Sequence, residues 1–416
     1  MARKKIREYD AKRILAEHIP SIPCQNVLVT PTTKLDSLPI EHSWLLTTQL
    51  VVKPDQLFGK RKKLGLVLAK ADFTQVKEFL RTRQNTPIAI GNATDTLTHF
   101  LIEPYIPHEQ EYYLSITSQR DGEVIYFSSQ GGADIEERWN SVRKIGIPTL
   151  GTVEGSILDE EFFNGVLPNH AHLVHQFIRD LHKAYVDLDF TYLELNPFTI
   201  KNNTIFILDA VAHIDGCATG KNAGQWKIPQ FPPEFGKKSY PEEEFIESMD
   251  QESGASLKLT ILNPQGRIWN ILSGGGASII YLDTIVEHGV GQELANYGEY
   301  SGNPSTEESY QYAKTVLDLM TRKHHPQGKV LLIGGAIANF TDIEKTFQGI
   351  VRALLEYKPK LQEGKISIVV RRGGPNYEKG LALMKKAGKE LDVPIEVYGP
   401  ETPMVHLVSP ALERLS

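Results

Sequence analysis

The chain has 416 residues, of which 41% are hydrophobic and 23% charged, so it can bury a sizeable core and is not expected to be disordered. Its 45 basic and 51 acidic residues give a formal charge of −6, which excludes an overall positive field for nucleic acid or an anionic membrane. Two cysteines exclude a disulfide scaffold, and no apolar run suits a signal peptide or a membrane span. We therefore expect a soluble cytoplasmic protein of two or three domains.

The start of the chain predicts a helix. The basic run near Lys4 and Lys5 fits an amphipathic helix that continues through Ile14 and Leu15. Charged residues of such a helix normally form its solvated face, so we expect no functional role for them.

The next informative segment is the apolar strand at residues 50–54, which contains Lys53. A lysine in such a strand can present a point charge to phosphate. It can equally protect an edge strand against aggregation, and the sequence leaves both explanations open. Arg61 and Lys62 follow closely and add positive charge to the same region.

Two hairpins are predicted further along. Residues 112–118 and 123–128 flank a Gln-Arg-Asp-Gly turn, and residues 191–201 and 204–210 flank two asparagines. The segment at residues 169–185 between them has helical spacing of its apolar residues. We therefore predict that the first half of the chain has an α+β fold with mostly antiparallel sheets.

The second hairpin predicts which side chains face each other. A two-residue turn at 202–203 places Asn196 opposite Asp209 and Glu194 opposite Val211. Opposed Cβ atoms lie ~5 Å apart, which lets two oxygen ligands share one Mg²⁺. A hydrogen-bonded Asn–Asp pair explains the same pattern, so the register alone does not decide between them.

A proline-rich segment divides the chain. Residues 226–245 contain four prolines between Trp226 and Pro241, and proline removes backbone donors and favours extended neighbours. We interpret these residues as a linker between an N-terminal part, 1–225, and a C-terminal part, 246–416.

After the linker, apolar strands alternate with glycine loops and helices, a pattern typical of a buried parallel sheet. Ligands of such sheets bind at the carboxyl ends of the strands, where the glycine loops lie. The repeated units are RIWNIL–SGGGAS, KVLLI–GGAIANF, ISIVV–RRGGPNY and PIEVYG–PETP, each followed by a helical segment.

The glycine loops suggest an anion site. Helix N-termini with exposed backbone N–H groups attract anions, and Arg371 or Arg372 at the end of the third strand can meet a carboxylate bidentately. Thr341 with Glu344 forms a capping-box pattern at the second helix. Ordinary turn glycines explain each loop singly, but a polycarboxylate or phosphate site explains the set better.

Two other patterns carry less weight. The string GCATGK at residues 216–221 has three residues between its glycines, so it is not a P-loop. The histidines His170, His172 and His175 lie near a helix start, where we expect them to face solvent. Any nucleotide chemistry here is therefore not P-loop chemistry.

Several distinctive strings follow one another across essentially the whole chain: LVVKPDQL, LIEPYIPH, TYLELNP, GGGASIIYLDT, ELANYGEYSG, GGAIANFTD and VVRRGGPNY. Together and in this order, they resemble the N-terminal region of ATP-citrate lyase. That region is similar to the β subunit of succinyl-CoA synthetase. The resemblance implies an ATP-grasp nucleotide-binding domain at 1–225, a linker at 226–245 and a flavodoxin-like, doubly wound citrate-binding domain at 246–416.

The resemblance also assigns roles to residues. It implies that Lys53 and Arg372 act in catalysis. It also implies one set of residues for Mg²⁺, one for ATP and one for citrate. Lys62 stands where animal members tend to have glycine, so the phosphate loop is expected to differ there. The implied metal residues are Asn196, Asp209, Asp250, Ser253 and Ala255. The implied ATP residues are Lys53, Arg61, Lys62, Pro104, Ile106, Glu111 and Asp209. The implied citrate residues are Gly274, Gly275, Gly276, Gly302, Asn339, Phe340, Thr341, Tyr357 and Arg372.

The family makes citryl-CoA from citrate, CoA and ATP through citryl-phosphate, and the lyase then releases acetyl-CoA and oxaloacetate. The resemblance implies a hetero-oligomer with a partner chain that carries the phosphorylated histidine and most of the CoA site. The partner either includes a citrate-synthase-like lyase domain or leaves it to another protein, in which case this chain is the large subunit of a citryl-CoA synthetase. Two further functions stay open: a succinyl-CoA synthetase β-like subunit for another acid, and an ATP- or citrate-sensing module.

Overall fold

The structure is a computed structural model that describes residues 3–91, 93–132, 134–151, 153, 162–237 and 240–415. The chain forms two compact units, unit 1 up to Lys237 and unit 2 from Lys238 onwards. In the described ranges, no helix is long and apolar enough to cross a membrane.

Unit 1 is built on antiparallel sheets. Its strands are β1 Arg3–Ile6, β2 Val27–Val29, β3 Leu50–Pro54, β4 Leu68–Ala71, β5 Pro87–Ile90, β6 Ala93–Thr96, β7 Phe100–Pro104, β8 Tyr112–Gln119, β9 Gly122–Ser128, β10 Arg143–Pro148, β11 Phe190–Lys201, β12 Thr204–Ile207 and β13 Ala210–Asp215. The large sheet has the order β1-β13-β11-β8-β9-β10, with β12 paired to β11. A second sheet has the order β2-β7-β3-β4, and β5 pairs with β6.

The helices of unit 1 pack on these sheets. They are α1 Glu8–His18, α2 Leu38–Glu41, α3 Phe73–Arg83, α4 Ala171–Asp187 and α5 Thr219–Trp226. α1 and α4 bury their apolar residues against the large sheet, whereas α3 packs against the second sheet. The predicted helix at 169–185 is confirmed by α4, whose buried residues include Val174, Phe177 and Leu181.

Both predicted hairpins are confirmed. β8 pairs with β9 so that Gln119 faces Gly122, and β11 pairs with β12 so that Lys201 faces Thr204. The same register continues from β12 into β13, where Glu194 faces Val211 as predicted. The hairpin therefore fixes the alignment of the polar residues discussed below.

The predicted helix at the start of the chain needs correction. Lys4 and Lys5 lie in β1, an edge strand that pairs with β13, and the helix begins only at Glu8. The carboxylate of Asp55 accepts hydrogen bonds from the backbone N–H groups of Glu8 and Tyr9 at 2.9 and 3.1 Å. This carboxylate satisfies two of the unpaired donors at the helix N-terminus and so fixes where the helix starts.

Parts of the predicted linker, residues 226–245, are helical. Trp226 is the last residue of α5, is buried and donates through its indole N–H to the carbonyl of Leu188 at 2.9 Å. Pro241 is the first residue of helix α6, where a proline needs no hydrogen-bond partner for its nitrogen. Helices α5 and α6 thus take up the two ends of the predicted linker.

Unit 2 contains the predicted parallel sheet. Its strands are β14 Ser256–Ile261, β15 Ile268–Ser273, β16 Asn296–Ser301, β17 Lys329–Gly335, β18 Ile366–Arg371 and β19 Ile395–Tyr398. The parallel order is β15-β17-β18-β19, and β14 forms an antiparallel pair with β16. Its helices are α6 Pro241–Glu252, α7 Gly275–Glu287, α8 Thr306–Thr321, α9 Ile343–Glu356, α10 Lys358–Glu363, α11 Tyr377–Leu391 and α12 Val408–Glu413.

β16 lies beside β15 through side chains as well as backbone. Ile268 forms a parallel bridge with Leu294 just before β16. The backbone N–H of Asn270 then donates to the side-chain oxygen of Asn296 at 2.8 Å, and the Asn270 amide donates to the carbonyl of Asn296 at 3.0 Å. With β16 counted, the spatial order is β16-β15-β17-β18-β19. Numbered along the chain from β15, this is the order 2-1-3-4-5 of the flavodoxin-like class, as predicted.

Helices α8 and α9 approach each other closely at Gly349. A Cβ added there would lie 2.3 Å from the carbonyl oxygen of Thr306 and 2.8 Å from the backbone nitrogen of Tyr310. Both atoms belong to backbone, which cannot move aside as a flexible side chain can.

We expect Gly349→Ala to lower the free energy of unfolding by about 1–3 kcal/mol, the usual cost of overpacking. Gly224→Ala is the matched control, because Gly224 also lies in a helix, α5, but has open space where a Cβ would be. Urea unfolding of the two variants measures the difference. Equal effects of the two substitutions would contradict the close contact at Gly349.

Candidate functional site

Unit 1 contains a cavity of about 1090 Å³ between the two larger sheets. Residues from β3, β7, β11, β13 and α1 line it, together with the loop that follows β3. All residues that the resemblance assigned to ATP line this cavity, and so does Asn196. The structure therefore brings together residues that are up to 156 positions apart, from Lys53 to Asp209.

A buried ion cluster forms one wall of the cavity, with Glu8 at its centre. One oxygen of the Glu8 carboxylate lies 2.6 Å from Nζ of Lys53 and 2.7 Å from Nζ of Lys12, and the other lies 2.7 Å from Nη2 of Arg61. Burial alone would raise the pKa of Glu8, but Lys12, Lys53 and Arg61 hold that pKa well below its usual value. Glu8 is therefore an anion that orients three cations.

Lys53 uses two of its three ammonium protons within the protein. It donates to Glu8 and to the carbonyl oxygen of Leu208 at 2.7 Å. The side chain is 6% exposed and lines the cavity. It does not protect a sheet edge, because β3 pairs with both β7 and β4.

Arg61 connects the cluster to the metal residues predicted for the hairpin. Its Nη1 donates to the carbonyl of Pro54 at 3.0 Å, and its Nη2 contacts both Glu8 and the carboxylate of Asp209. Desolvation raises the pKa of Asp209 and Arg61 acts in the opposite direction, which leaves a carboxylate that gains from a further cation.

Asn196 and Asp209 lie side by side as the register predicted. The backbone N–H of Asn196 donates to the carbonyl of Asp209 at 3.1 Å, and the side-chain oxygen of Asn196 accepts from the backbone N–H of Gly132 at 2.8 Å. The neighbouring Glu194 accepts from the hydroxyl of Tyr192, and burial raises the pKa of Glu194. Two side chains with oxygen atoms thus face the cavity next to Arg61.

Pro104, Ile106 and Glu111 lie at the end of β7 and in the segment after it, whereas Lys62 lies after β3. Pro104 is the last residue of β7, and the carbonyl of Ile106 is 2.6 Å from Nδ1 of His108. Nε2 of the same histidine is 3.0 Å from the carboxylate of Glu111. Lys62 is exposed in the loop after β3.

Unit 2 has a second candidate site at the carboxyl ends of its parallel strands. Arg372 follows β18, and its Nη2 donates to the hydroxyl of Ser273 at 2.6 Å, directly before the Gly274–Gly276 loop. Its Nη1 donates to the carbonyl of Ala336 in the loop after β17. The side chain of Asn303, next to Gly302, accepts a hydrogen bond from the backbone N–H of Asp342 at 3.0 Å. This bond joins the loop after β16 to the loop between β17 and α9.

The structure distinguishes Arg371 from Arg372, between which the strand pattern did not decide. Arg371 donates to the carbonyls of Thr402, Gly335 and Pro400, so its guanidinium serves the surrounding loops. Arg372 is 2% exposed, and its Nε has no hydrogen-bond partner in the described part of the chain. Burial lowers the pKa of Arg372. An unpaired, buried guanidinium N–H is costly, and a carboxylate would satisfy it.

Two predictions at the ends of α9 differ from what the structure shows. Tyr357 directly follows the last residue of α9, a helix of 14 residues. A helix of this length places Tyr357 about 20 Å from the loop that precedes α9. The hydroxyl of Tyr357 donates to the carboxylate of Asp318 at 3.3 Å. The structure therefore does not bring Tyr357 together with the other residues of the set. The cap of α9 is Asp342, which accepts from the backbone N–H of Lys345 at 3.2 Å, and not Thr341.

Asn339 and Phe340 are exposed in the loop before α9, whereas Thr341 is buried. The three residues predicted as a further metal segment form a turn at the end of α6. Asp250 accepts from the backbone N–H of Leu257 at 2.7 Å, and Ser253 accepts from that of Ala255 at 2.9 Å. Within the described ranges there is no group of three or more His, Cys, Asp or Glu side chains arranged to hold a metal.

Glu8 and Lys12 were not singled out from the sequence, because they lie in the segment predicted as an amphipathic helix with a solvated charged face. Both are buried, together with Ala11 and Leu15. The signal was present, because Glu8, Ala11, Lys12 and Leu15 follow the 0, 3, 4, 7 spacing of one helix face. A charged pair on an otherwise apolar stripe indicates burial against other charges.

Comparison with known proteins identifies the family. A family model described as an ATP-citrate synthase ATP-grasp domain matches residues 2–226, and one described as ATP citrate lyase citrate-binding matches residues 237–414. The ATP-citrate synthase alpha chain protein 2 of Oryza sativa is 47% identical, and the match covers 99% of both chains. The chain belongs to the ATP-citrate lyase family.

Other members of the ATP-citrate lyase family show the same relationship. Human ATP-citrate synthase is 43% identical, over 99% of this chain and 38% of the human protein. The solved structure of ATP citrate lyase from Methanothrix soehngenii, in complex with citrate and coenzyme A, matches with a TM-score of 0.91 and 49% identity. That match covers 99% of this chain and 100% of the other.

The residues of this ATP-citrate lyase family member fit the Mg²⁺ that an ATP-grasp domain implies. Asn196 and Asp209 offer oxygen ligands on the cavity wall, and desolvation raises the pKa of Asp209 while the nearby Arg61 opposes that shift, so a bound cation would favour the carboxylate further. Magnesium is usually held by one or two carboxylates together with substrate phosphates, so a small ligand set of this kind is sufficient.

Asp55 makes stability depend on pH. Burial and the nearby Glu8 raise the pKa of Asp55 to about 6, although it caps α1 and lies near Arg61 and Arg7. A carboxyl with a raised folded-state pKa favours folding while it is protonated, and this contribution is lost as the pH rises through about 6.

Asp55→Asn removes this titration. As the pH rises from 5 to 7.5, we therefore expect the free energy of unfolding of the parent chain to fall by about 1 kcal/mol more than that of Asp55→Asn. Urea unfolding of both proteins at the two pH values measures it. Asp187→Asn, at an exposed ion pair with Lys183 on α4, is the control. A difference between parent and Asp55→Asn that is independent of pH would contradict the raised pKa.

Proposed function

We propose that this chain is the ATP- and citrate-binding subunit of an ATP-citrate lyase, which activates citrate with ATP for citryl-CoA formation. The observation that carries the proposal is Arg372, a buried guanidinium with an unpaired N–H at the carboxyl ends of parallel strands. Such a group suits a carboxylate ligand. The family, and the relative from Methanothrix soehngenii in complex with citrate and coenzyme A, support the same ligand.

In the proposed ATP site, Lys53 and Arg61 present positive charge to the phosphates from the wall formed by β3 and the loop after it. Asn196 and Asp209 hold Mg²⁺, which when bound neutralises charge that develops on the phosphates. Pro104, Ile106 and Glu111 lie along the cavity where they can contact adenine and ribose. The contribution of this chain is positioning and electrostatics, because its residues include no identified nucleophile.

In the proposed citrate site, Arg372 binds one carboxylate and the N-terminal end of α7, beginning at the Gly274–Gly276 loop, attracts another. The side chains of Asn339 and Thr341 lie on the adjacent loop. A histidine of a separate partner chain accepts the phosphoryl group from ATP and passes it to citrate, and that partner also provides most of the CoA site. We propose that the complex is cytoplasmic.

The product distinguishes a lyase from a citryl-CoA synthetase. The complex purified from its native host releases acetyl-CoA and oxaloacetate if the partner includes the lyase domain, and citryl-CoA if it does not. A complex that activates succinate but not citrate would contradict the proposed substrate.

Arg372→Lys tests the citrate site, because lysine keeps the charge but lacks the planar fork that pairs with a carboxylate. We expect the KM for citrate to rise about tenfold or more and the KM for ATP to stay within about twofold. Steady-state kinetics of the assembled complex measures both constants. Arg352→Lys, at an exposed pair with Glu307, is the control, and equal changes in both constants for Arg372→Lys would count against the assignment.

Asp209→Asn tests the ATP site. The amide keeps the shape of the carboxylate but removes the charge that holds Mg²⁺, so we expect MgATP-dependent phosphorylation of the partner histidine to fall about a hundredfold or more. Rapid-quench measurement of the phosphorylated partner gives the rate, and circular dichroism checks that the fold is kept. Phosphorylation at the parent rate would show that the hairpin does not bind the metal.

A further inference from the structure

We propose that Lys12 is a positioning residue of the nucleotide site, which holds Glu103 and Glu8 so that Lys53 keeps one ammonium proton for a triphosphate. The inference deepens the proposed function and rests on it. Lys12 also lines the cavity, but the contacts of its ammonium group within the protein leave no proton for a ligand.

The ammonium group of Lys12 is fully used within the protein. Its Nζ lies 2.7 and 2.8 Å from the two carboxylate oxygens of Glu103, 2.7 Å from Glu8 and 3.1 Å from the carbonyl of Leu208. A lysine ammonium has three donors, so these four acceptors already exceed its capacity. The side chain is 5% exposed.

Lys53 has the same neighbours but is less completely bonded. It makes short hydrogen bonds to Glu8 and Leu208, whereas its distance to the nearer oxygen of Glu103 is 3.4 Å. The third proton of Lys53 therefore has no short partner among these groups, and Lys53 lines the cavity. Two lysines around the same acceptors thus differ in role, one saturated and one with a donor to spare.

The difference depends on which lysine holds Glu103. Lys12 binds both oxygens of Glu103 and so competes with Lys53 for that carboxylate. Without the ammonium of Lys12, Glu103 and Glu8 would have Lys53 and Arg61 as their nearest cations, because buried carboxylates draw in whatever cation is within reach. Lys53 would then give its third proton to Glu103, and a phosphate would have to compete for it.

Lys12→Met tests this inference, since methionine keeps much of the apolar stem but has no charge. In the full chain assembled with its partner, calorimetry with MgATP should show a dissociation constant raised about tenfold or more, while that for citrate changes less than about twofold. Lys221→Met, which removes an exposed lysine paired with Asp189, is the matched control and should change neither constant.

The double variant Lys12→Met with Glu103→Gln separates positioning from simple loss of structure. If Lys12 acts by holding Glu103, removing the charge of Glu103 as well should restore MgATP affinity to within about threefold of Glu103→Gln alone. This variant also leaves no unpaired carboxylate at Lys12, so it keeps the test valid if Lys12→Met alone does not fold.

The outcomes are distinguishable. MgATP binding by Lys12→Met equal to that of the parent chain would overturn the inference and leave the proposed function standing. Equal loss of MgATP and citrate binding without rescue in the double variant would also overturn it, because that result indicates a general structural role. A parent complex that binds no MgATP would overturn the inference together with the proposed ATP site.

Discussion

The cavity of unit 1 depends on one carboxylate. Glu8 sits in the first turn of α1 and contacts the cationic groups of Lys12, Lys53 and Arg61, which come from a helix, a strand and a loop. Burying so much charge is unfavourable unless every member is paired, and here the pairing is dense. The start of α1 is set in turn by Asp55, so the cap of a helix and the orientation of the cations that line the cavity belong to one network.

The features that could be predicted from the sequence are those set by residues close to one another in the chain. The two-residue turn at 202–203 sets the alignment of its strands by short-range geometry, so the placement of Asn196 opposite Asp209 follows from the order of residues alone. β1 could not be found in this way, because its partner β13 lies some 200 residues away. The burial of Glu8 and Lys12 likewise follows from tertiary packing, which helix periodicity does not specify.

In unit 2 the alternation of strands, glycine loops and helices was enough to predict a parallel sheet and the edge at which its loops meet. The strand pattern left the choice between Arg371 and Arg372 open, because consecutive residues at a strand end point to opposite sides and both are basic. Only the resemblance named Arg372. The resemblance grouped Tyr357 with the loop residues, but the length of α9 separates them. The side-chain bonds between Asn270 and Asn296 that attach β16 to the sheet have no sequence signal of their own.

The tip of the hairpin between β11 and β12 has a practical use. Asn202 and Asn203 are exposed and have left-handed φ angles of 51° and 57°, as a tight two-residue turn requires. Behind the tip, β11 and β13 are held in register by β8 on one side and β1 on the other. A fluorophore attached to a side chain at this tip would therefore project into solvent and leave the two-residue turn, and with it the alignment of Asn196 with Asp209, in place. This makes the turn a suitable attachment point for reporters.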